Sequence, residues 1–169
     1  IVEIAFIVCG IWSDKVKDYY VSVEKFGAKF TYIEQDFPKG IAHAVSLCKN
    51  FVDDEKFVVF LGDNIIQREI IEYASNFEKS NALASLLLCE VNNPSQFGIA
   101  EIKDNRIVKI TEKPKNPLTN LAVTGIYFLT PYIFEIIKKL KPSWRNELEI
   151  ADALQMLVEE EKEIIYGMI

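Results

Sequence analysis

The residues able to do chemistry stand at the ends of apolar runs. Gln35, Asp63 and the pair Glu112-Lys113 each follow one, and Glu147 and Glu149 precede the last. Asp63 is the clearest. It comes straight after Gly62, which closes Phe57-Val58-Val59-Phe60-Leu61, a run expected to be a strand buried on both faces. In an open α/β sheet, ligands bind beyond the carboxyl ends of the strands. A carboxylate held there, with an amide and a lysine nearby, suits Mg²⁺ and phosphate chemistry, in which positioning and charge neutralisation carry most of the catalysis. Each residue taken singly has a plainer explanation. Asp63 or Asn64 could cap a helix, Gln35 could belong to a loop, Glu112-Lys113 could be a solvated pair, and Glu147 could favour a helix N-terminus through the dipole. Several such groups at one sheet edge are more informative than any one of them.

Other chemistries find no support. The sequence holds neither G-x-x-x-x-G-K-[ST] nor G-x-G-x-x-G, which argues against a P-loop kinase and a dinucleotide oxidoreductase. Its one histidine, His43, lies on an expected helix without a nucleophile signature, so a structural role is expected for it. Cys9, Cys48 and Cys89 are widely spaced, with neither metal-ligand spacing nor a disulfide framework. They read as buried thiols of a reducing, cytoplasmic compartment.

The elements that must position these residues follow from periodicity. Strands are expected over 1–10, 29–34, 57–61, 82–91 and 121–129, with a last one from 164 to 169. A helix capped by Ser13 or Asp14 is expected to run to about Phe26, with Val16, Tyr19, Tyr20, Val23 and Phe26 as its apolar stripe and Gly27 ending it. The turn-rich loop 35–40 opens into a helix striped by Ile41, Ala44, Val45, Cys48 and Phe51. After Asp63, residues Ile66, Ile70, Ala74 and Phe77 mark another. Residues 98–102 and 106–110 read as a hairpin turning at Asp104-Asn105, and 111–120, with Pro114 and Pro117, as a loop. Thr130 as cap and Pro131 at the first helical position open a helix through Leu140. Leu148, Ala151, Leu154 and Leu157 mark the last helix. The β-α alternation of the first half predicts an α/β fold of Rossmann-like type, a mostly parallel but mixed twisted sheet with helices on both faces.

The 169 residues suffice for one domain with a substantial core, and the whole chain, 1–169, is expected to be that domain. Nineteen basic residues against 25 acidic give a net charge of −6, which argues against a nucleic-acid binder. No apolar run approaches the ~20 residues of a membrane span.

Leu61-Gly62-Asp63-Asn64, then Phe97-Gly98, Glu112-Lys113-Pro114, Val123-Thr124-Gly125-Ile126-Tyr127 and Arg145-Asn146-Glu147-Leu148-Glu149-Ile150, in this order and spacing, resemble the sugar-phosphate nucleotidyltransferases. Within that family the glucose-1-phosphate thymidylyltransferases, archaeal-type members included, are the most similar branch. The stretch from Glu34 to Ala42 resembles the family's base-binding loop. The resemblance implies the nucleotide-diphospho-sugar transferase fold and a reaction of dTTP or UTP with a hexose 1-phosphate, glucose 1-phosphate above all, with Mg²⁺ as cofactor. It implies that Gln35 and the backbone at Gly40 recognise the pyrimidine and that Asp63 ligates Mg²⁺. It further implies that Gly98 lets the sugar approach the backbone, that Glu112 binds sugar hydroxyls, and that Lys113 contacts the sugar phosphate. Thr124, Gly125 and Tyr127 would line the sugar site, with Glu147 beside it. The implied partners are the nucleoside triphosphate and the sugar 1-phosphate, with no nucleic acid and no membrane. Relatives of this fold are commonly oligomeric, which leaves room for a homo-oligomer.

The family pattern also has an N-terminal G-x-G-T-R loop, a K-x-L-x-P segment and a second metal-binding aspartate after the last helix, none of which this sequence contains. On that ground it is expected to be truncated at both ends and to have little or no turnover alone. The alternative expectation is a non-catalytic binding or regulatory domain of the same fold.

Overall fold

The computed structural model describes residues 2–10, 13–20 and 27–169. Strands β1 (Val2–Cys9) and β2 (Ala28–Gln35) pair in parallel, with Cys9 opposite Gln35. Between them lies α1 (Ser13–Tyr19). The second sheet has six strands. β6 (Arg106–Glu112), β5 (Gly98–Lys103), β7 (Leu121–Leu129), β4 (Ala84–Glu90) and β8 (Ile164–Met168) follow one another across it, and β3 (Phe57–Phe60) pairs with β7 as well.

Helices cover both faces of this sheet, as expected of the α/β fold. On one face, α2 (Ile41–Ser46), α3 (Lys49–Val52), α5 (Tyr132–Ile137) and α6 (Ile150–Glu159) share one core with Leu86 and Leu88 of β4. On the other, Phe77 of α4 (Ile71–Lys79) packs with Leu87, Ile126 and Phe128. Alternate residues of β4 thus feed two cores, which is why the run Ala84–Leu88 is buried throughout and apolar except for Ser85. Burying each such leucine contributes about 2 kcal/mol.

The sheet is mixed, and its parallel share is smaller than the β-α alternation of the first half suggests. β1–β2 and β4–β8 are parallel, whereas β3–β7, β4–β7, β5–β6 and β5–β7 are antiparallel. Parallel neighbours need a long crossover, usually helical. From β4 to β7 the chain is joined by loops and one 3₁₀ turn (Pro94–Gln96) without a helical crossover. β4 and β5 run one way and β6 and β7 the other, so the neighbours they form are antiparallel.

Several local expectations need correction. Val58 and Phe60 are 44% and 46% exposed, so β3 packs on one face only, through the half-buried Phe57 and Val59. No described element covers its other face, and an apolar run by itself does not reveal that. The helix expected from Ile66 begins only at Ile71. Ile66 and Ile70 still pack beside the Phe77 core, but from an irregular segment. α1 has no buried residue, and Tyr19 of its expected stripe is exposed. The part of that helix expected over 21–26 lies outside the described residues. The helix expected after loop 35–40 is split at Leu47-Cys48 and buries Ala42, Val45, Cys48 and Val52. α5 starts at Tyr132 and stops at Ile137. Thr130 donates its hydroxyl to the Leu83 carbonyl at 3.2 Å and does not cap the helix. Of the cysteines, Cys48 is buried, while Cys9 and Cys89 are half-buried thiols. The hairpin turn is as expected, with Asp104 and Asn105 at φ of 50° and 59°, the left-handed pair that two-residue hairpin turns require.

Candidate functional site

All the site residues picked from the sequence line one open cleft of about 570 Å³ over β7, where β3 and β6 end and β5 begins, with the end of β2 on its border. That volume falls within the range of small-molecule sites. Gln35 closes β2, and Gly40 opens α2. Asp63 stands three residues past the end of β3. Gly98 begins β5, Glu112 ends β6, and Lys113 follows it. Glu112 is thus a strand residue, not a loop residue as expected. Thr124, Gly125 and Tyr127 lie along β7, and Glu147 precedes α6. The loop after Gln35 and the segment that carries Glu147 are joined because Leu148 donates its N–H to the Lys39 carbonyl (2.8 Å) and accepts from the Ala42 N–H (3.1 Å). Only glycine fits at position 40, where φ is +95° and a Cβ would lie 2.4 Å from the Leu148 oxygen.

Asp63 is exposed at the mouth of the cleft and is held by a relay. Gly125 N–H donates to Asn64 Oδ1 and Asn64 Nδ2 donates to Asp63 Oδ1, each at 2.9 Å. The Leu61 N–H donates to the Gly125 carbonyl at 2.8 Å. A Cβ on Gly125 would stand 2.4 Å from Asn64 Nδ2, so a glycine on β7 is what lets Asn64 reach across. Among the described residues no three or more His, Cys, Asp or Glu side chains gather around one point. Asp63 by itself would offer an ion one hard carboxylate. That suits Mg²⁺, which binds through one or two carboxylates together with substrate phosphates and water, better than a closed protein cage.

The opposite wall is an ion-pair network around Arg145. Its Nε and Nη2 grip the two oxygens of Glu149 at 3.0 and 2.8 Å, while Nη2 lies 3.1 Å from Glu147 and 3.8 Å from Glu112. Ser143 Oγ donates a third bond to Glu149 at 2.8 Å. Burial by itself would raise the Glu149 carboxyl, but the Arg145 and Ser143 bonds together outweigh it and hold the group below its ordinary range. Glu112 goes the other way. Burial, then the nearby charge of Glu149, push it up, and Lys113 and Arg145 offset this only in part. Lys113 Nζ lies 3.8 Å from Glu112 and its backbone takes φ of 41°, an uncommon conformation for lysine. Burial, then the Glu112 and Asp63 charges, push the Tyr127 phenol up, so it stays a neutral donor. Thr124 Oγ1 is buried with no hydrogen-bond partner, an orphan expected where a ligand completes the wall.

Three participants were missed from sequence. Asn64 reads from sequence only as a possible helix cap, although its place beside Asp63 is visible. Arg145 stood in a quoted motif without a role, and its four-residue spacing from Glu149 was the available signal. His43, read as structural, lies with its Nδ1 2.7 Å from Gln35 Nε2.

The sequence matches the Nucleotidyl transferase family over residues 1–168. It is 41% identical over 161 residues to the low-salt glycan biosynthesis nucleotidyltransferase Agl11 of Haloferax volcanii, covering 95% of this chain and 45% of that protein. It is 44% identical over 137 residues to a glucose-1-phosphate thymidylyltransferase of Streptomyces antibioticus, covering 80% of this chain and 38% of that protein. The chain thus spans less than half the length of these relatives. Among solved structures, a Bacillus anthracis protein described as a glucose-1-phosphate thymidylyltransferase, in complex with sucrose, superposes with a TM-score of 0.89. It is 39% identical, over 98% of this chain and 67% of that one. A UDP-glucose pyrophosphorylase complexed with UDP-glucose gives a TM-score of 0.81 at 25% identity, over 98% of this chain and 73% of that one. No helix among the described residues is long and apolar enough to cross a membrane. With its sequence matched almost end to end and its fold shared with solved members, the chain belongs to the nucleotidyl transferase family.

Proposed function

We propose that this chain forms the substrate cleft of an enzyme that joins a pyrimidine nucleoside triphosphate, dTTP or UTP, to a hexose 1-phosphate, glucose 1-phosphate being the first candidate. The observation that carries this reading is the meeting, in one cleft, of residues from distant parts of the sequence that the family pattern assigns separately to base, metal and sugar. Relatives described as glucose-1-phosphate thymidylyltransferases, and a solved relative holding UDP-glucose, support the substrate class.

Gln35 and Gly40 bind the base edge. Thr124, Gly125, Tyr127 and Glu112 surround the sugar, with Gly98 leaving room beside Glu112. A Cβ at position 98 would stand 3.2 Å from the Glu112 carboxylate. Glu147 sits with Arg145 on the wall next to the sugar. Lys113, a compact cation on a flexible stem, meets the sugar phosphate. An oxygen of the sugar 1-phosphate attacks the α-phosphorus in line, the bond from that phosphorus to the bridging oxygen breaks, and pyrophosphate leaves with the electron pair. Asp63 is the carboxylate that would hold Mg²⁺, and the ion, when bound, offsets the charge of two phosphates that must approach each other. Cleft carboxylates outnumber cations, with Asp63, Glu112, Glu147 and Glu149 against Lys113 and Arg145. A polyanionic substrate therefore needs a bound cation to enter.

The test is pyrophosphate release by the intact protein carrying this chain, from dTTP or UTP with glucose 1-phosphate. Release should require Mg²⁺ and fall at least 100-fold in Asp63→Asn, the scale of losing one strong transition-state electrostatic contact. Equal rates for Asp63→Asn and the parent would remove Asp63 from the metal site.

A further inference from the structure

Gln35 is 8% exposed, and a polar side chain so buried must find partners. Its Nε2 lies 2.7 Å from His43 Nδ1 and 3.4 Å from the Gly40 carbonyl. The carbonyl can only accept, and it already accepts the Ala44 N–H at 3.2 Å. The nitrogen end of the Gln35 amide must therefore face it. A hydrogen of the same NH₂ group then points at His43, so Nδ1 must be the bare nitrogen and the proton must sit on Nε2. Both amide hydrogens are engaged. The remaining atom, Oε1, has no hydrogen-bond partner among the described residues, and Gln35 lines the cleft.

A free glutamine amide is an ambiguous reader. Turned by half a rotation about its last bond, it offers either a donor or an acceptor at the same place. Here that ambiguity is removed from behind. We propose that His43 is a positioning residue that locks the Gln35 amide so that only Oε1 faces the base, and that this pair selects bases with a ring N–H at the imide position. Thymine and uracil present that N–H between two carbonyls. Cytosine presents a bare ring nitrogen there, and its lone pair would confront Oε1. The inference rests on the base-binding role proposed above for Gln35. His43 is set in place for the task by its own helix, where Ser46 Oγ bonds the His43 carbonyl at 2.7 Å and Gly40 begins the first turn against Leu148.

The experiment measures equilibrium dissociation constants of dTTP, CTP and glucose 1-phosphate for the intact protein and for His43→Leu, His43→Asn and Gln35→Ala. His43→Leu should weaken dTTP and narrow the dTTP-to-CTP preference by about tenfold, the worth of one buried hydrogen bond, with glucose 1-phosphate binding unchanged. His43→Asn places an amide oxygen close to the position of Nδ1 and should restore most of the preference. If His43→Leu keeps the parent's preference while Gln35→Ala loses it, the coupling is overturned and the base-binding role of Gln35 stands. If Gln35→Ala binds dTTP like the parent, that role falls and takes the coupling with it. Nitrogen NMR of the His43 ring in the unsubstituted protein decides the matter even if His43→Leu fails to fold. Nδ1 should resonate as an unprotonated, pyridine-type nitrogen, and a neutral ring with its proton on Nδ1 would overturn the proposal.

Discussion

Replacing Arg145 with alanine tests the cleft wall most directly. Glu149 is 6% exposed and takes three hydrogen bonds, two of them from the guanidinium. In Arg145→Ala it keeps Ser143 alone. Removing one partner of a buried ion pair costs about 3–5 kcal/mol. Because the Arg145 side chain is itself 26% exposed and water can enter its space, the lower figure, about 3 kcal/mol, is the expectation. With a urea dependence of about 2 kcal/mol per molar, the unfolding midpoint should fall by about 1.5 M. The pH dependence sharpens the test. The Glu149 carboxyl is held below its unfolded value, so its stabilisation is fully present above the ordinary carboxylate range. It is lost as the pH falls through the lowered native value. Glu112 is raised, so its ionisation costs stability as the pH rises from the unfolded value through the raised one, and losing Arg145 increases that cost. Both effects make the gap between parent and variant widest near neutrality and close it in acid. Arg145→Met combined with Glu149→Leu should recover most of the loss, since a well-packed apolar pair leaves no buried charge. A gap of equal size in acid and at neutrality would refute the assignment of Glu149 as the buried, charged partner.

Two further outcomes follow from single contacts. Gly125→Ala should destabilise by about 2 kcal/mol by driving a methyl into Asn64 Nδ2 at 2.4 Å. Asn64→Ala should relieve part of that clash, so a double-mutant cycle by urea unfolding should come out less than additive, and strict additivity would contradict the relay. Burial pushes the Cys48 thiol up to about 11, so iodoacetamide should leave it unmodified in the native protein at neutral pH and label it on unfolding. Rapid native labelling of Cys48 would show that its helix opens far more readily than its packing implies.

The parts of the fold that could be read from sequence are those set by neighbours in sequence. Asp104-Asn105 announces its hairpin because both residues tolerate the left-handed region. The run over 82–91 and its flanks announce β4, since a strand feeding two cores is mostly apolar, here broken only by Ser85 and Glu90. What escaped depends on partners far along the chain. Val58 and Phe60 look like any doubly buried pair until the uncovered face of β3 is seen. Ile66 and Ile70 are spaced as on a helix, yet an irregular segment delivers both to the same core. Arg145 joins Glu112 from 33 positions away, and no local pattern carries such a pairing. Gln35 and Asp63 were legible as site residues because strand ends point at the cleft, whereas His43 was not, because its partner lies on another element.

The cleft is framed by backbone, and this separates two kinds of site residue. The loop after Gln35 and the segment carrying Arg145, Glu147 and Glu149 are tied by the two bonds of Leu148 to Lys39 and Ala42, with Gly40 pressed between them. The turn carrying Asp63 is tied to β7 by the bond from the Leu61 N–H to the Gly125 carbonyl, with the Asn64 amide beside it. Neither tie uses the side chains proposed to touch substrate. Changes at Lys113 or Glu147 should therefore alter ligand affinity while leaving the frame in place, because both side chains are partly exposed and held only by ion pairs of small individual worth. Changes at Gly40 or Gly125 act on the frame itself, since any Cβ there meets atoms of another segment, and they should disturb base, metal and sugar positions together. A site built this way tolerates variation in the residues that read the substrate far better than in the two glycines that hold its walls at their spacing.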